Sequence, residues 1–174
     1  FLVLFALFTH AQTVVQVGSK FENNMMQGFT VPLYRTGNPS TGQQLYSRHF
    51  FIYDTDELCK AQMPVGTTIS KIAWFKNGVG SKDGVVHSFK IYMKNTDNIS
   101  RNGDTWTNLT NGATKVFETE VLAIPNVEGW WELTLDAPFI YTGGTIEVYT
   151  DWFVGGGANG DRTNGLISFG QTTM

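Results

Sequence analysis

The chain has 174 residues, of which 41% are hydrophobic, 14% aromatic and 16% charged, with 19 Gly, 5 Pro, a single Cys and a formal net charge of −3. That length suits one domain with a sizeable core, since a chain near this size buries roughly 70% of its unfolded surface; frequent Gly and sparse charge exclude a coiled coil, and Gly lacks the triplet period of collagen. One Cys cannot build a disulfide framework, and without basic clusters there is no electrostatic footprint for nucleic acid or an anionic membrane.

Residues 1–11, FLVLFALFTHA, open with an eight-residue apolar run and place Thr9 and Ala11 at the −3 and −1 positions of a cleavage site. This is the pattern of the h- and c-regions of a secretory signal peptide, and eight apolar residues fall far short of the roughly 20 that span a bilayer. The sequence is expected to start part-way through that leader. Residues 12–174 are then expected to form a single β-sandwich domain that continues into further domains of the same chain. Cys59, alone in a secreted chain, is expected to be a small buried thiol.

Beyond the leader, short β-branched and aromatic runs alternate with Gly, Asn, Asp and Pro, the pattern of an all-β domain. The predicted strands are Thr13–Val17, Gln44–Tyr53, Thr68–Lys76, Val85–Lys94, Thr114–Ile124, Trp130–Leu135, Thr145–Phe153 and Gly165–Phe169. Asn-Gly and Gly-Gly pairs at 77–78, 102–103, 111–112, 143–144 and 164–165 mark turns, because Asn and Gly tolerate positive φ. Only Asp54–Met63 begins like a helix, with Thr55 as its expected cap.

Period-two alternation assigns faces. Phe89, Ile91 and Met93 oppose Lys90, Tyr92 and Lys94; Trp131, Leu133 and Leu135 oppose Trp130, Glu132 and Thr134; Ile146, Val148 and Trp152 oppose Glu147, Tyr149 and Asp151. Strands with one apolar face suit antiparallel sheets with a wet side. Ile69–Phe75 is apolar at both parities and is expected to be a central strand. About eight strands without crossover helices predict an all-β, antiparallel two-sheet β-sandwich of jelly-roll kind.

Residues that carry chemistry are scattered. His49, His87 and Cys59 lie on separate segments without the spacing of zinc ligands. The nucleophile elbow Gly-x-Ser-x-Gly is missing, and the glycine-rich Gly78–Lys82 sits between strands, whereas a phosphate cradle leads into a helix. Glu118 with Glu120, and Glu132 with Asp136, are acid pairs that solvated strand faces explain better than glycoside hydrolysis. No cofactor is expected except a structural calcium ion, for which Asp54, Asp56 and Glu57 crowd together and Asp83, Asp97, Asp104 and Asp161 are alternatives; none makes a complete ligand set. Trp130, Tyr149, Tyr92 and Trp106 are the candidate binding residues, able to form a flat aromatic surface that stacks on sugar rings, against the alternative that they cover a second core layer. Asn98-Ile99-Ser100 and Asn108-Leu109-Thr110 match glycosylation acceptors.

Gln-Gln-Leu-Tyr-Ser-Arg-His-Phe-Phe-Ile-Tyr-Asp-Thr-Asp-Glu-Leu ending at Leu58, then Thr68–Trp74, Phe89–Met93 and Gly129–Phe139 follow one another in an order that resembles a β-sandwich domain of large bacterial secreted and cell-surface proteins. Many of those are exported by the type IX secretion route and combine the domain with fibronectin type III repeats, adhesin domains or peptidases. The likeness covers roughly residues 17–154. It implies architectural roles for Tyr53–Leu58, Gly129-Trp130 and Pro138-Phe139, and no catalytic residue. The expected function is therefore a non-catalytic extracellular binding or adhesion module, secreted or at the cell surface. Its expected partners are an extracellular protein or glycan and other domains of the same chain, with no nucleic acid and no membrane insertion. The alternatives are an accessory domain of a secreted peptidase or glycan hydrolase, and a carbohydrate-binding module.

Overall fold

The computed structural model of the chain describes residues 13–17, 20–22, 46–76, 88–100, 103–122, 125, 127–153 and 171–173. Runs rich in β-branched and aromatic side chains favour a pleated backbone, and strands dominate: β1 (Lys20–Glu22), β2 (Tyr46–Tyr53), β3 (Thr68–Lys76), β4 (Ser88–Thr96), β5 (Thr114–Thr119), β6 (Gly129–Ile140), β7 (Thr145–Phe153) and β8 (Gln171–Thr173). Two short helices join them, α1 (Thr55–Lys60) after β2 and α2 (Trp106–Thr110) after β4.

Among the described residues every strand pairing is antiparallel. One sheet has four strands in the order β2-β7-β4-β5, β3 pairs with β6 in a second sheet, and β1 pairs with β8. The pairs nest: β1 with β8, β2 with β7, β3 with β6 and β4 with β5, so the chain runs as one long hairpin folded over itself. The four-stranded sheet and the β3–β6 pair pack face to face around a shared core, which makes the domain an all-β antiparallel two-sheet sandwich, as the alternation implied.

The core is aromatic. Trp74 of β3 touches Trp131 of β6 and Phe51 of β2, with ring centroids 5.9 and 6.0 Å apart; Phe89 of β4 reaches Trp131 at 6.0 Å and Phe117 at 6.2 Å. Ile91, Met93, Val116, Leu133, Leu135, Phe139, Ile146, Val148 and Trp152 complete it. Each large apolar side chain removed from water stabilises the fold by about 1.5–3 kcal/mol, and offset or tilted ring pairs add a little more. Leu58 of α1 also enters the core.

β3 and β7 have the bounds expected of them, and the other elements show where tertiary contacts overrode the pattern. β6 runs on to Ile140, because Phe139 keeps the inward parity of Trp131 and Leu133. Its Pro138, which has no N–H to donate, falls opposite the register shift between Ile69 and Lys71, where the ladder with β3 is interrupted. β5 ends at Thr119 because the Thr119 hydroxyl donates to Val121 O and accepts from Val121 N–H, closing a turn. Residues 13–17 form no strand, and the segment expected as a strand at 165–169 lies outside the described residues, as do residues 1–11 and His87. Among the described residues β3 pairs with β6, and its second apolar parity is half-buried. The expectation of a buried thiol is also corrected: Cys59 is exposed, because α1 turns Leu58 to the core and its neighbour to solvent.

Candidate functional site

Parity in β7 sends Val148 and Trp152 into the core and Glu147, Tyr149 and Asp151 to the outer side of the four-stranded sheet. The registers then fix their neighbours. Across from β4, Lys94 stands beside Glu147, Tyr92 beside Tyr149 and Lys90 beside Asp151; across from β2, Arg48 stands beside Asp151 and Phe50 beside Tyr149.

This face is not open. α2 lies across it, started by Thr105, whose hydroxyl accepts the Asn108 N–H. Trp106 turns edge-on to Tyr149, with ring centroids 6.0 Å apart and planes at 87°, and edge-on to Tyr92 at 6.5 Å and 82°. The Arg48 guanidinium stacks 4.9 Å from the Trp106 ring and pairs with Asp151 at 3.2 Å. One helical turn on, Leu109 is buried apart from the main core. Tyr149 and Glu147 consequently have no exposed surface.

A buried carboxylate costs several kcal/mol unless its charge is matched. Glu147 is matched twice: the Tyr149 hydroxyl donates to its Oε2, and Lys94 Nζ lies 3.2 Å from the same oxygen. The Lys94 ammonium also donates to Leu109 O at 2.8 Å and Asn111 O at 3.4 Å, at the C-terminal end of α2, and lies 5.4 Å from the Tyr149 ring. With α2 in place this carboxylate faces no solute.

The opposite outer face belongs to the β3–β6 pair. Trp130 alternates with core Trp131, stands opposite Phe75, and is 50% exposed, with the two rings edge-on at 5.6 Å and 82°. One pleat along, Glu132 accepts a hydrogen bond of 2.7 Å from Lys71 Nζ, with both side chains partly in solvent. The four candidate aromatics therefore divide. Tyr92, Trp106 and Tyr149 converge under and around α2, whereas Trp130 stands on the other side of the sandwich. The expectation that Trp130 and Tyr149 share an exposed surface is corrected, because parity sends each outward from a different sheet and α2 then covers Tyr149.

The acidic residues have local partners. Glu118 accepts hydrogen bonds from Lys115 and from Lys90, the latter at 2.9 Å, and these hold its carboxyl at about 2 while the same bond raises Lys90. Asp136 accepts the Glu118 N–H at 2.8 Å, tying β5 to β6, and Glu120 lies beyond the end of β5. Asp54 and Glu57, weighed above for calcium, cap α1 through reciprocal bonds of 2.9 Å. Among the described residues no three His, Cys, Asp or Glu side chains gather as metal ligands, and no helix is long and apolar enough to cross a membrane.

No family model, curated protein or solved structure matches this chain. The two outer faces therefore have to be read from their own chemistry. α2 and the Lys94–Glu147 pair are the features that sequence reasoning missed. Their only signals were a Thr at 105 that could cap, Trp106 and Leu109 three residues apart, and one acid and one lysine at outward parity.

Proposed function

We propose that the chain is a non-catalytic binding or adhesion module of a larger extracellular protein, with its contact surface on the outer side of the β3–β6 pair. The observation that carries this reading is Trp130: half in solvent, on a strand rather than a loop, and braced edge-on by Phe75. A large aromatic ring kept rigid and wet gives contact area at little entropic cost when a partner arrives. The leader-like run at residues 1–8 supports an extracellular address, and the resemblance to bacterial surface-protein domains supports the modular role. Nesting of the strand pairs, with the order β2-β7-β4-β5, supports a jelly roll as the finer description of the sandwich.

The neighbourhood of Trp130 favours a glycan as the partner. Pyranose rings present apolar C–H faces that stack on an indole, with hydroxyls around the rim. Glu132 sits one pleat away, about 6.7 Å along the strand, and Lys71, opposite Thr134 in the register, reaches back to its carboxylate, so the two offer a donor and an acceptor to such hydroxyls. The test is a glycan array followed by titration calorimetry of wild type, Trp130→Ala and Phe153→Ala, the last an exposed aromatic on the other sheet. The expected result is saturable binding that falls at least tenfold in Trp130→Ala and is kept in Phe153→Ala, with unchanged circular dichroism. Binding that survives Trp130→Ala overturns the assignment of this face.

A further inference from the structure

Lys94 joins the four-stranded sheet to the C-terminal end of α2, as Arg48 joins it to Trp106 at the start. It pairs with Glu147 on β7 and donates to two carbonyls at the end of the helix. We infer that α2 is a hinged cover on this sheet, seated by the Lys94–Glu147 joint, and that its release exposes the Tyr92 and Tyr149 rings without unfolding the sandwich. This does not rest on the Trp130 reading, which concerns the opposite face.

The helix has five residues. Isolated helices shorter than about 12–15 residues are marginal in water, so its position comes from contacts with the sheet. Those contacts include the Trp106 ring against Tyr149, Tyr92 and Arg48, the buried Leu109 side chain, and the Lys94 bonds. Leu109 and Tyr149 are both buried outside the main core, so lifting α2 leaves the packing between the sheets intact. The segment is also flanked by places where the chain can turn, with φ +72° at Gly103 before it and +74° at Gly112 after it. A cation donating to the last carbonyls of a helix is favourably placed, and here that cation is held by a carboxylate with no exposed surface. Neutralising Glu147 loosens Lys94, and Lys94 in turn loosens α2.

Native-state hydrogen exchange followed by NMR tests this on wild type, Glu147→Gln, Lys94→Met and the control Lys71→Met, which breaks an ion pair on the other sheet. In wild type the Leu109 amide, bonded to Thr105 O, is expected to exchange at least tenfold faster than the β7 amides and with little dependence on low denaturant, the mark of local opening. Glu147→Gln and Lys94→Met are expected to speed it by roughly a further tenfold and to leave it faster than β7 and still indifferent to low denaturant, and Lys71→Met to leave it unchanged. Exchange of α2 and β7 in wild type at one rate, with one denaturant dependence, overturns the inference without need of any variant. An α2 rate indifferent to both charge removals overturns the role of the joint.

Discussion

At Gly144, in the turn from β6 to β7, φ is +73° and an added Cβ would stand 2.7 Å from Thr96 O and 3.0 Å from Asp97 Oδ1. Both objections apply to alanine: the backbone conformation is strained for an L side chain, and a carbonyl blocks the space. Neighbouring groups hold the turn rigidly, with the Tyr141 hydroxyl donating to Gly144 O and the Asn95 amide bridging Ile140 O and Thr142 N–H. Gly144→Ala is therefore expected to lower stability by about 1–3 kcal/mol, read as a shift in the urea midpoint at constant slope; an unchanged midpoint contradicts the turn described. Tyr53 makes a second residue-scale case. Burial, with a smaller contribution from the Glu57 charge, pushes its phenol up to about 12. A raised folded value favours the neutral form, so this stabilising contribution is complete below about pH 10 and is lost as pH rises toward 12. Alkaline absorbance titration is expected to show a late phenol that Tyr53→Phe removes; identical late limbs in both proteins contradict it. At this scale parity was legible in the sequence and exposure was not. Tyr149 and Trp130 were both correctly placed on outward faces, but whether outward means wet depends on what crosses the face, and alternation within one strand carries no information about that.

Among the elements, α1 illustrates how much rests on a single cap. Asp54 accepts the Glu57 N–H and Glu57 accepts the Asp54 N–H, so two otherwise unpaired donors are satisfied reciprocally. Asp54→Ala is expected to cost about 0.5–2 kcal/mol and Asp54→Asn much less, measured by chemical denaturation; equal losses in the two variants contradict the capping role. The helix was foreseen within Asp54–Met63, with the cap placed one residue late at Thr55. Asp and Thr are both good caps, and only the bond to Glu57 distinguishes them. α2 went unforeseen for a physical reason: at five residues it has no apolar repeat to detect, and it exists because Trp106 and Leu109 find a sheet to lie on. Strands, by contrast, were legible wherever one face is fully buried. In β7 the alternating apolar residues Ile146, Val148 and Trp152 all enter the core, whereas β5 ends early at a turn made by Thr119.

For the whole molecule, sequence patterning placed β2 to β7 and the apolar side of several of them, missed the short β1 and β8, and did not say which strands are partners. Consecutive strands pair in many β proteins. Here, among the described residues, only β4 and β5 do so, and each earlier strand has a partner much further along the chain. That arrangement puts Trp130 on one side of the sandwich and the Tyr149 cluster on the other, and both functional proposals depend on it. Non-local pairing of this kind also delays folding, because loop closure must precede the contacts that reward it. The most direct measurement is a set of interstrand nuclear Overhauser contacts on labelled protein. Backbone contacts are expected to join Phe51 with Val148, Ile72 with Leu133 and Ile91 with Phe117; contacts joining β2 to β3 and β3 to β4 instead, as in a meander, would contradict the nested pairing.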